Sequence, residues 1–105
     1  VSNSCGKIIF YGAGLSLTSI LYGIEKVDDK KDNIVIFDDN DIVADMFMPF
    51  FDIPIMKYSK NMVHANDIII LTLNPIYHKQ VVEKIRLDGI DNTIYAINEY
   101  GLLEI

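Results

Sequence analysis

The chain contains few residues of several types, and each shortage excludes a class of protein. Its 105 residues include one cysteine, Cys5, so no internal disulfide can form, and we expect a reducing, cytoplasmic setting. No apolar run reaches the roughly 18–20 residues needed to cross a bilayer, so we predict no membrane partner. Cys5 stands in a polar stretch without a basic neighbour in sequence, and we interpret it as incidental rather than reactive.

Positive charge is also scarce. Nine lysines and arginines stand against 15 aspartates and glutamates, which gives a formal net charge of −6. Because phosphate backbones are bound mainly through basic side chains, we predict no nucleic acid partner. The sequence also lacks a Ser–His–Asp order, a Cys–His pair, a Walker lysine and a zinc ligand set, so we predict no catalytic residues and no metal site.

Half of the residues are hydrophobic, which is typical of a globular chain. Length and composition predict one domain over residues 1–105. Because the first residue is valine, we expect the chain to be either a processed product or, in preference, a piece of a longer protein, which the family resemblance given below would make its C-terminal part.

Four short runs of isoleucine, valine and other apolar residues predict β-strands. Continuous apolar character, rather than alternation, is typical of parallel strands covered on both faces. Between these runs lie segments with the i, i+3, i+4, i+7 spacing of amphipathic helices. The strands are predicted at residues 7–11, 33–37, 67–73 and 93–97, and the two main helices at residues 15–27 and 75–87.

The middle of the chain is less regular, with a short helix at 41–48, a short strand at 53–56 and a helical turn at 61–65. Alternating strands and helices with right-handed crossovers predict an α/β fold. We expect a doubly wound, mostly parallel, Rossmann-like sheet in three α/β/α layers. Ligands of such sheets bind beyond the carboxyl ends of the strands, where the strand order reverses.

The helix predicted at 75–87 has clear signals at both ends. Asn74 is a good N-cap, Pro75 suits the first helical position, and Gly89 is a C-terminal stop signal after the last turn. Its core face is predicted to contain four residues, namely Ile76, Val81, Val82 and Ile85.

A glycine turn follows the first strand and opens the first predicted helix. Amide groups at such a turn can hold an anion, and the residues concerned are Gly12, Ala13, Gly14 and Leu15. The full fingerprint G-x-G-x-x-G is incomplete, because Leu17 stands at the third glycine position. The alternative is a tight turn that binds nothing.

Polar residues also follow the second and third strands. Asp38, Asp39 and Asn40 follow the second strand, where an acid such as Asp38 could accept hydrogen bonds from ribose hydroxyls. Alternatively these residues form a turn and cap the next helix, and both roles can hold together, with Asp38 on the ligand and Asn40 as the cap. Asn74 and Tyr77 could present an amide and a hydroxyl to the same ligand, whereas the neighbouring histidine at 78 is interpreted as a solvated surface residue. The apolar cluster at residues 46–51 is either core or a surface for a missing domain or a second copy.

Four short motifs in this order resemble the C-terminal Rossmann-like domain of sugar C-methyltransferases. They are YGAG at 11–14, FDDN at 37–40, IPI at 53–55 and ILTLN at 70–74. The resemblance spans about residues 7–99. This chain departs from the family pattern in having Leu73 where tryptophan often precedes the asparagine, and in an unusually apolar segment at 43–51.

The resemblance implies that S-adenosylmethionine binding and methyl transfer belong to a preceding catalytic domain. This domain would then be the non-catalytic part that helps to form a nucleotide-sugar site. The family contacts carry over to Gly12, Gly14, Asp38, Asp39 and Asn74. Nucleotide-sugar acyltransferases begin with a similar glycine turn, so nucleotide-sugar handling in carbohydrate biosynthesis is the broader expectation.

Three hypotheses follow. The first is a nucleotide-sugar-binding, substrate-positioning domain of a sugar methyltransferase. The second is a stand-alone regulatory module that binds NAD or another nucleotide, with Asp38 selecting the ribose. The third is a protein-interaction domain without a small ligand, which uses the 46–51 cluster to form homo-oligomers or to contact another protein.

Overall fold

The computed structural model describes residues 6–13, 33–40, 46, 53–98 and 101–105. Within these residues the chain forms a six-stranded sheet and an α-helix, α1. Short 3₁₀ turns occur at Lys60–Met62 and Pro75–Tyr77. The strands are β1 Ile8–Tyr11, β2 Ile34–Phe37, β3 Ile55–Met56, β4 Ile68–Leu71, β5 Ile94–Asn98 and β6 Gly101–Glu104, and α1 is His78–Leu87.

The strand order is β3-β2-β1-β4-β5-β6. Every neighbouring pair is parallel except β5 and β6, which are antiparallel. The prediction of a mostly parallel, Rossmann-like α/β sheet is therefore confirmed. The chain moves outward from β1 to β3 and then returns to the other side at β4, so the strand order reverses between β1 and β4. The helices predicted at 15–27 and 41–48 lie outside the described residues, apart from Met46.

Successive residues of the central strands enter two different apolar clusters, one on each face of the sheet. Ile9 and Tyr11 pack with Val81 and Ile85 of α1 on one face. Phe10 belongs to the cluster on the opposite face, whose other buried members are Ile34, Ile36, Ile53, Ile55 and Ile70. Burial on both faces explains why these strands are continuously apolar in sequence.

The segment that leads into α1 follows the capping signals of the sequence. The Asn74 side-chain oxygen accepts a hydrogen bond from the Ile76 amide at 3.1 Å, with Pro75 at the first position of the 3₁₀ turn. Gly89 has a φ of 83° directly after the helix, and its amide donates to the Arg86 carbonyl. The prediction that Ile76 faces the core is wrong, because the 3₁₀ turn leaves its side chain 73% exposed.

A buried carboxylate links β1 to β4 at the amino ends of these strands. Asp67 accepts hydrogen bonds from the Lys7 amide at 2.7 Å and the His64 amide at 2.8 Å, and its carboxylate lies 3.1 Å from the Lys7 ammonium. The Asn92 amide group donates to the Asp67 carbonyl at 2.8 Å and so adds the start of β5 to this contact. We call the group of Lys7, His64, Asp67 and Asn92 the amino-end clasp.

In the part of the chain that the structure describes, no helix has the length and apolar character required to span a membrane.

Candidate functional site

A cleft of about 450 Å³ opens at the carboxyl ends of β1, β2 and β4, beside the first turns of α1. This is the edge of the sheet at which the strand order reverses, where ligands of doubly wound folds bind. The volume lies within the usual range for small-molecule sites. The cleft is lined by Tyr11, Gly12, Asp38, Asp39, Asn40, Leu73, Asn74, Tyr77, Gln80 and Val81.

Gly12 forms the floor of the cleft, and no other residue fits there without strain. Its φ is 120°, a conformation that side-chain-bearing residues rarely adopt. A Cβ atom at this position would lie 2.6 Å from the Leu73 amide nitrogen. The turn after β1 therefore needs glycine because the end of β4 passes directly against it.

The described amides of the glycine turn already have partners within the protein. The Gly12 amide donates to the Phe37 carbonyl at 2.8 Å, and the Ala13 amide donates to the Asp38 carboxylate at 2.9 Å. Gly14 and Leu15 lie outside the described residues. That this turn holds an anion stays a prediction, and the two described amides are not free to bind one.

Asp38 is held in a fixed orientation at the end of β2. One carboxylate oxygen accepts from the Ala13 amide, and the other accepts from the Asn40 amide at 2.8 Å. This second bond is an Asx-type turn, so the proposed turn role of Asp38 is observed. Each oxygen retains a lone pair, and the side chain still lines the cleft, so the turn role and a ligand contact are compatible.

Asp39 belongs to a polar network between the cleft and α1. Its Oδ2 atom accepts from the Tyr11 hydroxyl at 2.7 Å and lies 2.9 Å from the Lys84 ammonium. The same ammonium lies 5.3 Å from the centroid of the Tyr11 ring and 4.9 Å from that of Tyr58. The Tyr58 hydroxyl donates to Asp88 at 2.5 Å.

Both tyrosines of this network stay protonated over the physiological range. Burial raises the pKa of Tyr11 well above its usual range, and the hydrogen bond to Asp39 raises it further. The pKa of Tyr58 is raised by burial and then by its hydrogen bond to Asp88. Both hydroxyls are therefore donors that orient carboxylates, and neither is suited to act as a general base.

The α1 side of the cleft combines apolar and polar groups. Leu73 follows β4, and Val81 is buried in the first full turn of α1. Tyr77 is 48% exposed at the rim, and the exposed Gln80 follows it by three residues, so both can reach a ligand. The Asn74 side chain lines the cleft while its oxygen caps the 3₁₀ turn.

The structure brings six of the nine residues predicted for the site to this cleft. They are Gly12, Asp38, Asp39, Asn40, Asn74 and Tyr77. Ala13 is adjacent, through its bond to Asp38, but is not part of the lining. Sequence analysis did not find Tyr11, Leu73, Gln80 and Val81, although the helical spacing from Tyr77 to Gln80 and Val81 would have indicated two of them.

The lining of the cleft offers groups that can hold a ligand through hydrogen bonds. The predicted surface position of His78 is only partly right, because the ring is half-buried and its Nε2 lies 3.2 Å from the Leu73 carbonyl. Among the described residues, no three His, Cys, Asp or Glu side chains are grouped as metal ligands. The chemistry that this lining offers is hydrogen-bond acceptance by carboxylates, with amide and hydroxyl groups on the opposite wall.

No protein-family model and no solved structure matches the chain. The chain is similar to the tRNA(Phe) (4-demethylwyosine(37)-C(7)) aminocarboxypropyltransferase of Methanocaldococcus jannaschii, with 30% identity over 83 residues. The match covers 76% of this chain and 31% of the relative. The chain is thus similar to part of a transferase and spans about a third of its length.

Proposed function

We propose that this domain binds the sugar of a nucleotide or nucleotide sugar and positions it for a transferase reaction. The observation that carries the proposal is the Asp38 carboxylate, which two backbone amides hold at the cleft where the strand order reverses. In nucleotide-binding sheets, a carboxylate at the end of the second strand accepts hydrogen bonds from the ribose hydroxyls.

The charge of the lining supports hydroxyl groups as the part of the ligand nearest to β2. Asp38 and Asp39 both contribute carboxylates, which repel phosphate at short range but accept strongly from hydroxyls. Because Asp38 is already oriented by the backbone, little side-chain entropy is lost when a diol binds to it. The apolar Leu73 and Val81, with the ring of Tyr77, provide a wall against which a sugar or base can pack.

The transferase context has two supports, namely the similarity to part of a transferase and the resemblance of the four motifs to sugar C-methyltransferases. We infer that the domain contributes position rather than chemistry, since a fixed ligand removes most of the entropic barrier of a two-substrate reaction. In the finer proposal, S-adenosylmethionine binds to another part of a larger protein, and the methyl group is transferred there.

The test is a calorimetric titration of the chain with UDP-glucose, dTDP-glucose, GDP-mannose and NAD. At least one nucleotide sugar should bind, and at 100–1,000 times its Kd it should stabilise the fold by about 3–4 kcal/mol. Asp38→Asn should weaken binding about tenfold or more, because it removes the charge that strengthens the hydroxyl contact. Tyr77→Phe should weaken it by a smaller factor.

The matched control is Asp91→Asn, which removes an exposed aspartate that does not line the cleft. It should leave the Kd unchanged. Binding of NAD alone would favour the regulatory module instead. If none of the ligands binds and light scattering shows a dimer or larger species, the interaction domain is the better description and the proposal fails.

A further inference from the structure

We propose that Lys84 determines whether the cleft accepts a negatively charged ligand. The inference rests on the proposed function, because it concerns the phosphate groups of the same ligand. Lys84 does not line the cleft itself, but its ammonium pairs with Asp39, which does. It is therefore a specificity-determining residue that acts through the charge of its neighbour.

The first argument is that the Lys84 ammonium is held in place. It lies 2.9 Å from Asp39 Oδ2 and close to two tyrosine rings, at 4.9 Å from the Tyr58 centroid and 5.3 Å from the Tyr11 centroid. Cation–π contacts of this length are attractive, and two of them restrict a side chain that is usually mobile. Lys84 thus provides a positioned positive charge beside the cleft, and its side chain is still 40% exposed.

The second argument is the arrangement of the helix. Lys84 follows Gln80 by four residues, so the two lie on the same face of α1, and Gln80 lines the cleft. The Lys84 side chain therefore starts on the face of α1 that borders the cleft and reaches Asp39 just after β2.

The third argument is that other sources of positive potential in the described turn are already used. The amides of Gly12 and Ala13 donate to the Phe37 carbonyl and the Asp38 carboxylate. The carboxylates of Asp38 and Asp39 would make the cleft repel phosphate if no positive charge neutralised either of them. Because Lys84 neutralises Asp39, the three charged groups Asp38, Asp39 and Lys84 together contribute −1 rather than −2.

The experiment compares neutral and anionic ligands that share a nucleoside. Adenosine and ADP, and uridine and UDP, are titrated into the wild-type chain and into four variants at about 50 mM salt. The variants are Lys84→Met, Asp39→Asn, Lys84→Arg and, as the matched control, Lys79→Met, which removes the same charge from the same helix outside the cleft.

The expected changes have opposite signs. Lys84→Met should weaken diphosphate binding about three- to tenfold relative to the nucleoside, which corresponds to one charge acting at the protein surface. Asp39→Asn should strengthen diphosphate binding by a similar factor, because the Asp39 carboxylate then no longer neutralises the positive charge of Lys84. Lys84→Arg should keep the wild-type preference, and the effects should shrink at about 0.5 M salt.

Three results would overturn the inference. One is an equal loss of nucleoside and diphosphate binding in Lys84→Met, which would indicate a structural role. Another is the same loss of diphosphate binding in Lys79→Met, which would indicate that the overall charge of the chain, rather than Lys84, determines the affinity. The third is a wild-type chain that binds none of the four probes, whereas the proposed function is judged separately by the titration with nucleotide sugars. Far-UV circular dichroism of each variant identifies any that fail to fold, and in that case Asp39→Asn and Lys84→Arg decide the question.

Discussion

Two aspartates at opposite ends of the sheet show how the same side chain is used in different ways. Asp67 at the amino ends is 4% exposed and accepts from two backbone amides while it pairs with Lys7. Asp38 at the carboxyl ends also accepts from two backbone amides, but it is only half-buried and faces a cleft.

The difference lies in what surrounds each carboxylate. The hydrogen bonds of Asp67 join β1, β4 and the residues before β5, and its side chain is closed off from solvent. Those of Asp38 join only the turns after β1 and β2, and lone pairs remain at an open site. The amino ends of the sheet are therefore closed by a buried contact, whereas the carboxyl ends leave an open cleft, where we propose that the ligand binds.

The largest effect is expected at the amino-end clasp. Asp67→Ala should lower the free energy of unfolding by about 3–5 kcal/mol, because it leaves two amides and the Lys7 ammonium without their buried acceptor. Urea denaturation followed by circular dichroism measures this loss. Asp91→Ala, at an exposed aspartate, is the control and should change stability by less than about 0.5 kcal/mol. A loss below about 1 kcal/mol at Asp67 would remove the distinction between the two ends.

The next effect tests the floor of the cleft. Gly12→Ala should lower the free energy of unfolding by about 2–4 kcal/mol. Alanine would have to adopt an unfavourable φ, and its methyl group would also clash with the Leu73 backbone. Gly89→Ala is the matched control, since Gly89 has a φ of 83° but open space around it. It should cost only about 1 kcal/mol. If urea denaturation gave the same loss of stability for both variants, the close approach of the Leu73 backbone to Gly12 would have no effect on stability.

A smaller effect is expected at Asp38. Asp38→Ala should lower the free energy of unfolding by about 1–2 kcal/mol. The loss is moderate because the Ala13 and Asn40 amides, which lose their acceptor, are close to solvent and can bind water instead. The same denaturation experiment checks this value. If Asp38→Ala destabilised the fold as much as Asp67→Ala, Asp38 would have to be regarded as structural.

The smallest effect concerns pH. Burial opposes ionisation of Asp67, but hydrogen bonds from the His64 and Lys7 amides and the Lys7 ammonium outweigh it, so the pKa of Asp67 lies below its usual value. A pKa that is lower in the folded state gives stability above the unfolded pKa, near 3.8, and this stability is lost as the pH falls through the folded pKa.

Wild type and Asp67→Asn should therefore differ by a constant amount in stability between pH 7 and about pH 5, and the difference should shrink in more acidic solution. Urea midpoints measured at several pH values give this difference. A stability difference between wild type and Asp67→Asn that grows as the pH falls would contradict the lowered pKa of Asp67.

Much of the fold could be predicted from the sequence because the strands have both faces covered. Continuous apolar runs located β1, β2, β4 and β5 to within a few residues, and the capping signals of Asn74 and Gly89 located the ends of the helical segment. The predicted helical turn at 61–65 is a 3₁₀ turn at Lys60–Met62, slightly earlier in the chain.

Two features of the fold could not be predicted in this way. Strand β6 is short, it pairs antiparallel with β5, and its sequence GLLE is not a continuous apolar run like those of the other strands. The exposure of Ile76 depends on a 3₁₀ rather than an α-helical first turn, and helical spacing alone does not distinguish the two.

The site was predictable where it depends on topology and unpredictable where it depends on side-chain pairing. The carboxyl ends of parallel strands must meet at one edge, which brings Asp38 and Asn74 to the same cleft. The contact of Lys84 with Asp39 joins residues 45 positions apart, and nothing in the local sequence indicates it. The apolar cluster at 46–51 is described only at Met46, which is 52% exposed, so its role as core or interface stays a prediction.

Strands β1 and β4 remain joined beyond their ends, since the Thr72 amide donates to the Tyr11 carbonyl at 2.9 Å and the Thr72 hydroxyl donates to the Gly12 carbonyl at 2.6 Å. The Gly12 amide in turn donates to the Phe37 carbonyl at 2.8 Å. In hydrogen–deuterium exchange measured by NMR, the Thr72 and Gly12 amide protons should therefore persist as long as those of the sheet centre, although both residues follow the last residue of their strand. These slowly exchanging signals would serve as an internal reference against which ligand-induced protection in neighbouring segments can be judged.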